Sequence, residues 1–120
     1  MKTTLGKLAT GRRRFLKSLT LAMAATVLTL SVMAATGLYS SVACVRAVRV
    51  DSTHYDLYAR ASGNYGTVQF ETGGRWGVPG QRLPDGTWAV LGIFGHPGVG
   101  WGARTMVNGR PDAYAYSTLP

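Results

Sequence analysis

From residue 45 to residue 117, apolar and polar positions alternate in short runs, and each run ends in turn chemistry. A period of two is that of a strand with one buried face. Val45–Val50 interleaves apolar residues with arginine before Asp51-Ser52-Thr53. His54–Ala61 follows, with Tyr55, Leu57 and Ala59 on one face and His54, Asp56, Tyr58 and Arg60 on the other, and Ser62-Gly63-Asn64 closes it. Tyr65–Glu71 leads to Thr72-Gly73-Gly74. Arg75–Leu83 is interrupted by Pro79-Gly80, which confines it to a sheet edge or a bulge, because proline has no N–H to give to a ladder.

Leu83-Pro84-Asp85-Gly86-Thr87 is a hairpin signal: proline presets the first turn position, aspartate bonds its own backbone, and glycine accepts the positive φ that closes the turn. It should join Arg75–Leu83 to Thr87–Phe94, whose nearly unbroken apolar sequence predicts a strand buried on both faces. Gly95-His96-Pro97-Gly98 reads as a loop, and Asn108-Gly109 as the two-residue turn between Gly100–Val107 and Arg110–Ser117. The expected fold class is all-β: about seven short strands in a small antiparallel meander, closed as a barrel or folded as a sandwich. Thirteen of the 16 glycines, all three tryptophans and five of six tyrosines lie in residues 44–120, a mixture that favours tight turns and strands over helices.

The segment before this pattern is different in kind. Leu19 to Tyr39 carries no charge, and small residues follow it at Ser41-Val42-Ala43. A cationic start, an apolar helix and a small-residue end make a signal peptide. Residues 1–43 are therefore expected to be a leader and residues 44–120 a small exported domain. The preferred cleavage bond follows Ala43, with Val32-Met33-Ala34 as the second choice. An uncleaved anchor is the alternative, since about 20 apolar residues can cross a bilayer; the positive N-terminal flank would still put the domain outside the cytoplasm.

Charge follows the same division. The chain carries +8, but Lys2, Lys7, Arg12, Arg13, Arg14 and Lys17 all precede residue 18. Beyond Cys44 seven arginines face five acids, a balance of only +2. The overall basicity thus argues for a leader and against a nucleic-acid partner. Within that cationic start, Arg12-Arg13-Arg14-Phe15-Leu16-Lys17 resembles the twin-arginine export signal, in which two arginines are followed by any residue and then Phe-Leu-Lys. Gly11 departs from the serine or threonine usual before the pair. The resemblance implies a translocase that carries folded proteins, a signal peptidase as second partner, and a periplasmic or secreted destination.

Candidate chemistry in residues 44–120 is sparse. Cys44 is the only cysteine, which excludes an intrachain disulfide. Val42-Ala43-Cys44 resembles the end of a bacterial lipoprotein signal, which would make Cys44 a lipid attachment point, but Ser41 stands where that signal has a bulky aliphatic residue. His54 and His96 are the only imidazoles; His54 could form a dyad with Asp51 or Asp56, and His96 lies in a glycine-proline loop. No spacing calls for a metal or other cofactor. Trp76, Trp88 and Trp101 recur at spacings of 12 and 13 residues and, with His96, are the candidate ligand-binding residues; core packing is the competing role for each indole. The first functional expectation is a non-enzymatic exported domain that binds an envelope saccharide, polymer or protein. A secreted cationic antimicrobial or toxin-like protein is the second, and a small hydrolase or cofactor carrier using His54 or His96 the third.

Overall fold

The computed structural model describes residues 28–120, with side chains from residue 34 onward. The cationic start and Arg12–Lys17 lie outside the described residues, as does the apolar run up to residue 27. From Leu28 the chain is in strand: β1 (Leu28–Thr36) and β2 (Ser40–Arg49) form an antiparallel hairpin that takes in the last part of the expected leader. The seven remaining strands are β3 (His54–Gly63), β4 (Thr67–Thr72), β5 (Arg75–Pro79), β6 (Gln81–Arg82), β7 (Trp88–Phe94), β8 (Gly100–Val107) and β9 (Arg110–Thr118). The nine described strands form two antiparallel sheets, β1-β2-β3-β7-β6 and β5-β4-β8-β9, and neither closes into a barrel. The all-β class is as expected, and the path is not a simple meander: the chain changes sheet between β3 and β4, between β5 and β6, and between β7 and β8.

The turn residues act where their chemistry places them. Asn108 and Gly109 both have positive φ, 52° and 78°, as a two-residue type I′ hairpin turn requires. At the β6–β7 turn the Leu83 N–H donates to the Thr87 carbonyl and the Gly86 N–H to the Leu83 carbonyl, and Asp85 accepts from the Thr87 N–H at 2.9 Å and the Thr87 hydroxyl at 2.6 Å. Pro79-Gly80 does more than mark an edge. It splits one extended segment between the two sheets: Phe70 faces Val78 across β4–β5, whereas Arg82 faces Trp88 across β6–β7. The Gly80 N–H donates to the Val68 carbonyl at 2.9 Å, and a Cβ at Gly80 would sit 2.8 Å from the Phe70 ring.

The core lies between the sheets. Val42, Cys44, Ala47, Tyr55, Leu57, Ala59, Trp88 and Val90 face Val68, Phe70, Trp101, Ala103, Ala113 and Ala115. The face predicted for Tyr55, Leu57 and Ala59 is the buried one. The double burial predicted for Thr87–Phe94 holds only as far as Val90; Leu91 is 57% exposed and Phe94 64%. Two causes explain the difference. The covering edge strand β6 reaches only Trp88 and Ala89, and a bulge at Leu91-Gly92, capped by Asp56 accepting the Gly92 N–H at 2.9 Å, turns the strand outward.

One polar cluster ties the sheets together where β2 meets β8 and β9. The Asp112 carboxylate accepts the N–H groups of Leu38, Tyr39 and Ser40 and the Ser40 hydroxyl. Because that hydroxyl proton goes to Asp112, Thr105 must donate to the Ser40 oxygen, 2.7 Å away, while the Thr105 oxygen accepts the Ala113 N–H at 3.0 Å. Ser40 and Thr105 are buried, so each polar atom needs the next. The Ser40 hydroxyl, followed by these backbone N–H groups, holds the Asp112 carboxyl below its ordinary 3.8.

Two outcomes follow from the packing and the clamp. Replacing the fully buried Phe70 by alanine should cost about 3–5 kcal/mol in denaturant unfolding, as for other buried aromatics. Asp51 and Asp85 share the lowered carboxyl of Asp112, so their stabilisation is complete above the ordinary carboxylate range and is lost as pH falls through the folded values. Thermal melts from about pH 5 down to about pH 2 should therefore show a falling Tm. Asp112→Asn should lower Tm at neutral pH and shrink that fall; an unchanged pH profile would remove Asp112 from this role.

Candidate functional site

The three tryptophans separate. Trp101 is 1% exposed and stacks on Phe70 in the core, ring centroids 6.3 Å apart. Its indole N–H finds no acceptor among the described residues. Trp88 is buried too, and its indole N–H donates to the Tyr65 hydroxyl at 3.1 Å. Trp76 alone turns outward, and Gly77 is the reason. With φ at 107°, Gly77 breaks the alternation of β5, so Val78 packs on the core while Trp76 crosses the outer face of its sheet.

On that face Trp76 completes an aromatic cluster. Ala113, Ala115 and Ser117 point into the core, which leaves Tyr114 and Tyr116 outside, parallel to within 8° and 6.2 Å apart. Trp76 meets both edge-on, with centroids at 5.5 and 6.0 Å. Gly102, between Glu71 and Tyr116 in the sheet, gives the indole its seat: a Cβ there would stand 3.3 Å from Trp76 and 3.0 Å from Tyr116. The Arg104 guanidinium lies 4.5 Å from the centre of the Trp76 ring, and its Nε and Nη2 donate to Gln69 Oε1 at 3.1 and 2.8 Å. Gln69 thus orients the fork of Arg104, and the indole face attracts its charge.

The result is a surface with flat apolar rings, two phenol hydroxyls and one oriented cation. Tyr116 is 43% exposed and Trp76, Tyr114 and Arg104 are half-buried, so the cluster is ordered and still open to solvent. Sequence periodicity had put Trp76 with Trp88 and Trp101; it missed Tyr114, Tyr116, Arg104 and Gln69 as one site. The alternation of Arg110–Ser117 does place both tyrosines on one face, and that was the usable signal.

The histidines lie at an end of the sandwich. His54 Nδ1 is 3.0 Å from Asp51 Oδ1, and the same carboxylate accepts the N–H groups of Thr53 and His54 at 2.8 Å. The Thr53 N–H, and then the His54 side chain, lower the Asp51 carboxyl. Asp56 is not part of that dyad, since it caps Gly92 instead. His54 and His96 both meet exposed Phe94 edge-on, at 6.0 and 5.0 Å. His96 stands in the β7–β8 loop, and its ring meets Phe94 rather than the rings of the Trp76 cluster. A cleft of about 370 Å³ lined by Tyr39, Tyr65, Val107 and Asn108 and another of about 280 Å³ along Thr36–Ser41 contain neither imidazole.

Cys44 is 1% exposed, in the middle of β2. Desolvation pushes its thiol up to about 12. No protein family, curated protein or solved structure was found to match the chain. A thiol-reactive disulfide reagent at about pH 8 should leave Cys44 unmodified in the folded protein and titrate one thiol after denaturation; rapid labelling without denaturant would contradict the buried position.

Proposed function

We propose that this chain is an exported, non-enzymatic β-domain that binds a saccharide of the cell envelope on the outer face of the β5-β4-β8-β9 sheet. The reading is supported above all by the cluster of Trp76, Tyr114 and Tyr116 with Arg104 fixed by Gln69. Sugar rings have apolar C–H faces and polar rims. Indole and phenol faces complement the first, and the guanidinium fork and phenol hydroxyls complement the second. An oriented arginine also favours a sugar that carries a carboxylate. The rings already pack on one another, and Trp76 and Tyr114 are half-buried, so that little side-chain entropy is lost on binding.

The destination comes from the leader motif. Arg12, Arg13, Phe15, Leu16 and Lys17 support passage through a folded-protein translocase, and an envelope polymer is what a small domain first meets on the far side. Insoluble peptidoglycan, a glycan whose attached stem peptides carry free carboxylates, is the probe of choice. The exported protein should sediment with it. Trp76→Ala and Arg104→Ala should each weaken binding at least roughly tenfold, about 1.4 kcal/mol, while His96→Ala binds as the parent does. Failure of the parent protein to sediment would sink the saccharide reading; parental binding by Trp76→Ala would move the site elsewhere.

A further inference from the structure

The sequence offers two bonds to a signal peptidase, after Ala43 and after Ala34, and the fold treats them unequally. Ala43 lies within β2, paired with Ala34 of β1 on one side and Arg60 of β3 on the other. Its neighbours Val42 and Cys44 are 2% and 1% exposed. A protease cleft takes its substrate as an extended strand, which needs a free edge; β2 has none. A cut there would also detach Ser40, whose N–H and hydroxyl are donors to Asp112 and whose oxygen accepts from buried Thr105. Asp112 would lose the donors that Leu38, Tyr39 and Ser40 supply.

The bond after Ala34 is placed otherwise. It lies in β1, the edge strand of its sheet, with one side unpaired. Ala34 and Thr36 are exposed and Ala35 is half-buried, and the Asp112 clamp begins only at Leu38. The leader's own proportions agree. An apolar core of a signal peptide runs about 7–15 residues; Leu19–Ser31, ahead of Val32-Met33-Ala34, is 13 residues, whereas Leu19–Ser40, ahead of Ser41-Val42-Ala43, is 22.

We propose that the leader ends at Ala34, so that the exported chain begins at Ala35 and keeps β2 and the Asp112 clamp whole. This rests on the export reading above. A domain that is folded before translocation presents its peptidase with the edge strand and not with an interior one. Cys44 then falls ten residues into the exported chain with its sulfur in the core, and it is not the point of lipid attachment. Removing Leu28–Ala34 leaves β2 to form the edge of its sheet.

The test is intact mass and N-terminal sequencing of the full-length chain expressed in a bacterium with a working twin-arginine translocase. The expected first residue of the envelope or secreted form is Ala35, at a mass free of acyl groups. Ala34→Val should accumulate precursor, and Ala43→Val, a strand-compatible change, should be processed as the parent is. Any other first residue, Cys44 in particular, overturns the assignment, as does an uncleaved chain outside the cytoplasm. Full-length protein confined to the cytoplasm overturns the export reading and the assignment with it.

Discussion

The Asp112 clamp is the contact on which the arrangement of the two sheets depends. Its acceptor lies at the start of β9 and its donors in the β1–β2 turn, 72 residues away in sequence for Ser40. Hydrophobic burial draws the inner faces together but does not fix their offset, because apolar contact has little direction. Four directed hydrogen bonds on one carboxylate, backed by Thr105 and the Ala113 N–H, do fix it. The close approach is built into the turn as well: a Cβ at Gly37 would come within 2.8 Å of the Asp112 side chain. The opposite end is closed by the C-terminal tail, where Tyr55 donates to the Pro120 carbonyl at 2.9 Å and Leu119 packs into the core.

Much of this was legible in the sequence, and the rest was hidden for identifiable reasons. Strand phase in His54–Ala61 and the turns at Asp85-Gly86 and Asn108-Gly109 come from local chemistry, and local chemistry is what a sequence displays. Strand β1 was hidden because Leu28–Thr36 has no turn residues inside it and continues an apolar run that reads as a leader. The shortfall in burial of β7 came from the length of its neighbour β6, which the sequence of β7 does not contain. The Ser40–Thr105–Asp112 relay joins three strands by residues that look unremarkable singly.

The candidate surface shows the same limit in sharper form. All three tryptophans lie within two residues of a glycine in similar strings, yet one bulge at Gly77 decides that Trp76 faces solvent while Trp88 and Trp101 face the core. The seat at Gly102 is likewise invisible until β8 is placed between β4 and β9. The spacing of the tryptophans left ligand contact and core packing both open for each indole. Only the pleat and its interruption say which rings are free for it.

Pro79-Gly80 gives the molecule a property that neither sheet has alone. A single extended stretch, Arg75–Arg82, supplies an edge strand to both, so the hairpin it forms with β4 and the hairpin it forms with β7 share one covalent hinge. Peeling either edge pulls on the other through the single residue, Gly80, that separates β5 from β6. The sheets are therefore coupled mechanically as well as by their shared core, and the domain should resist partial opening and come apart as one cooperative unit.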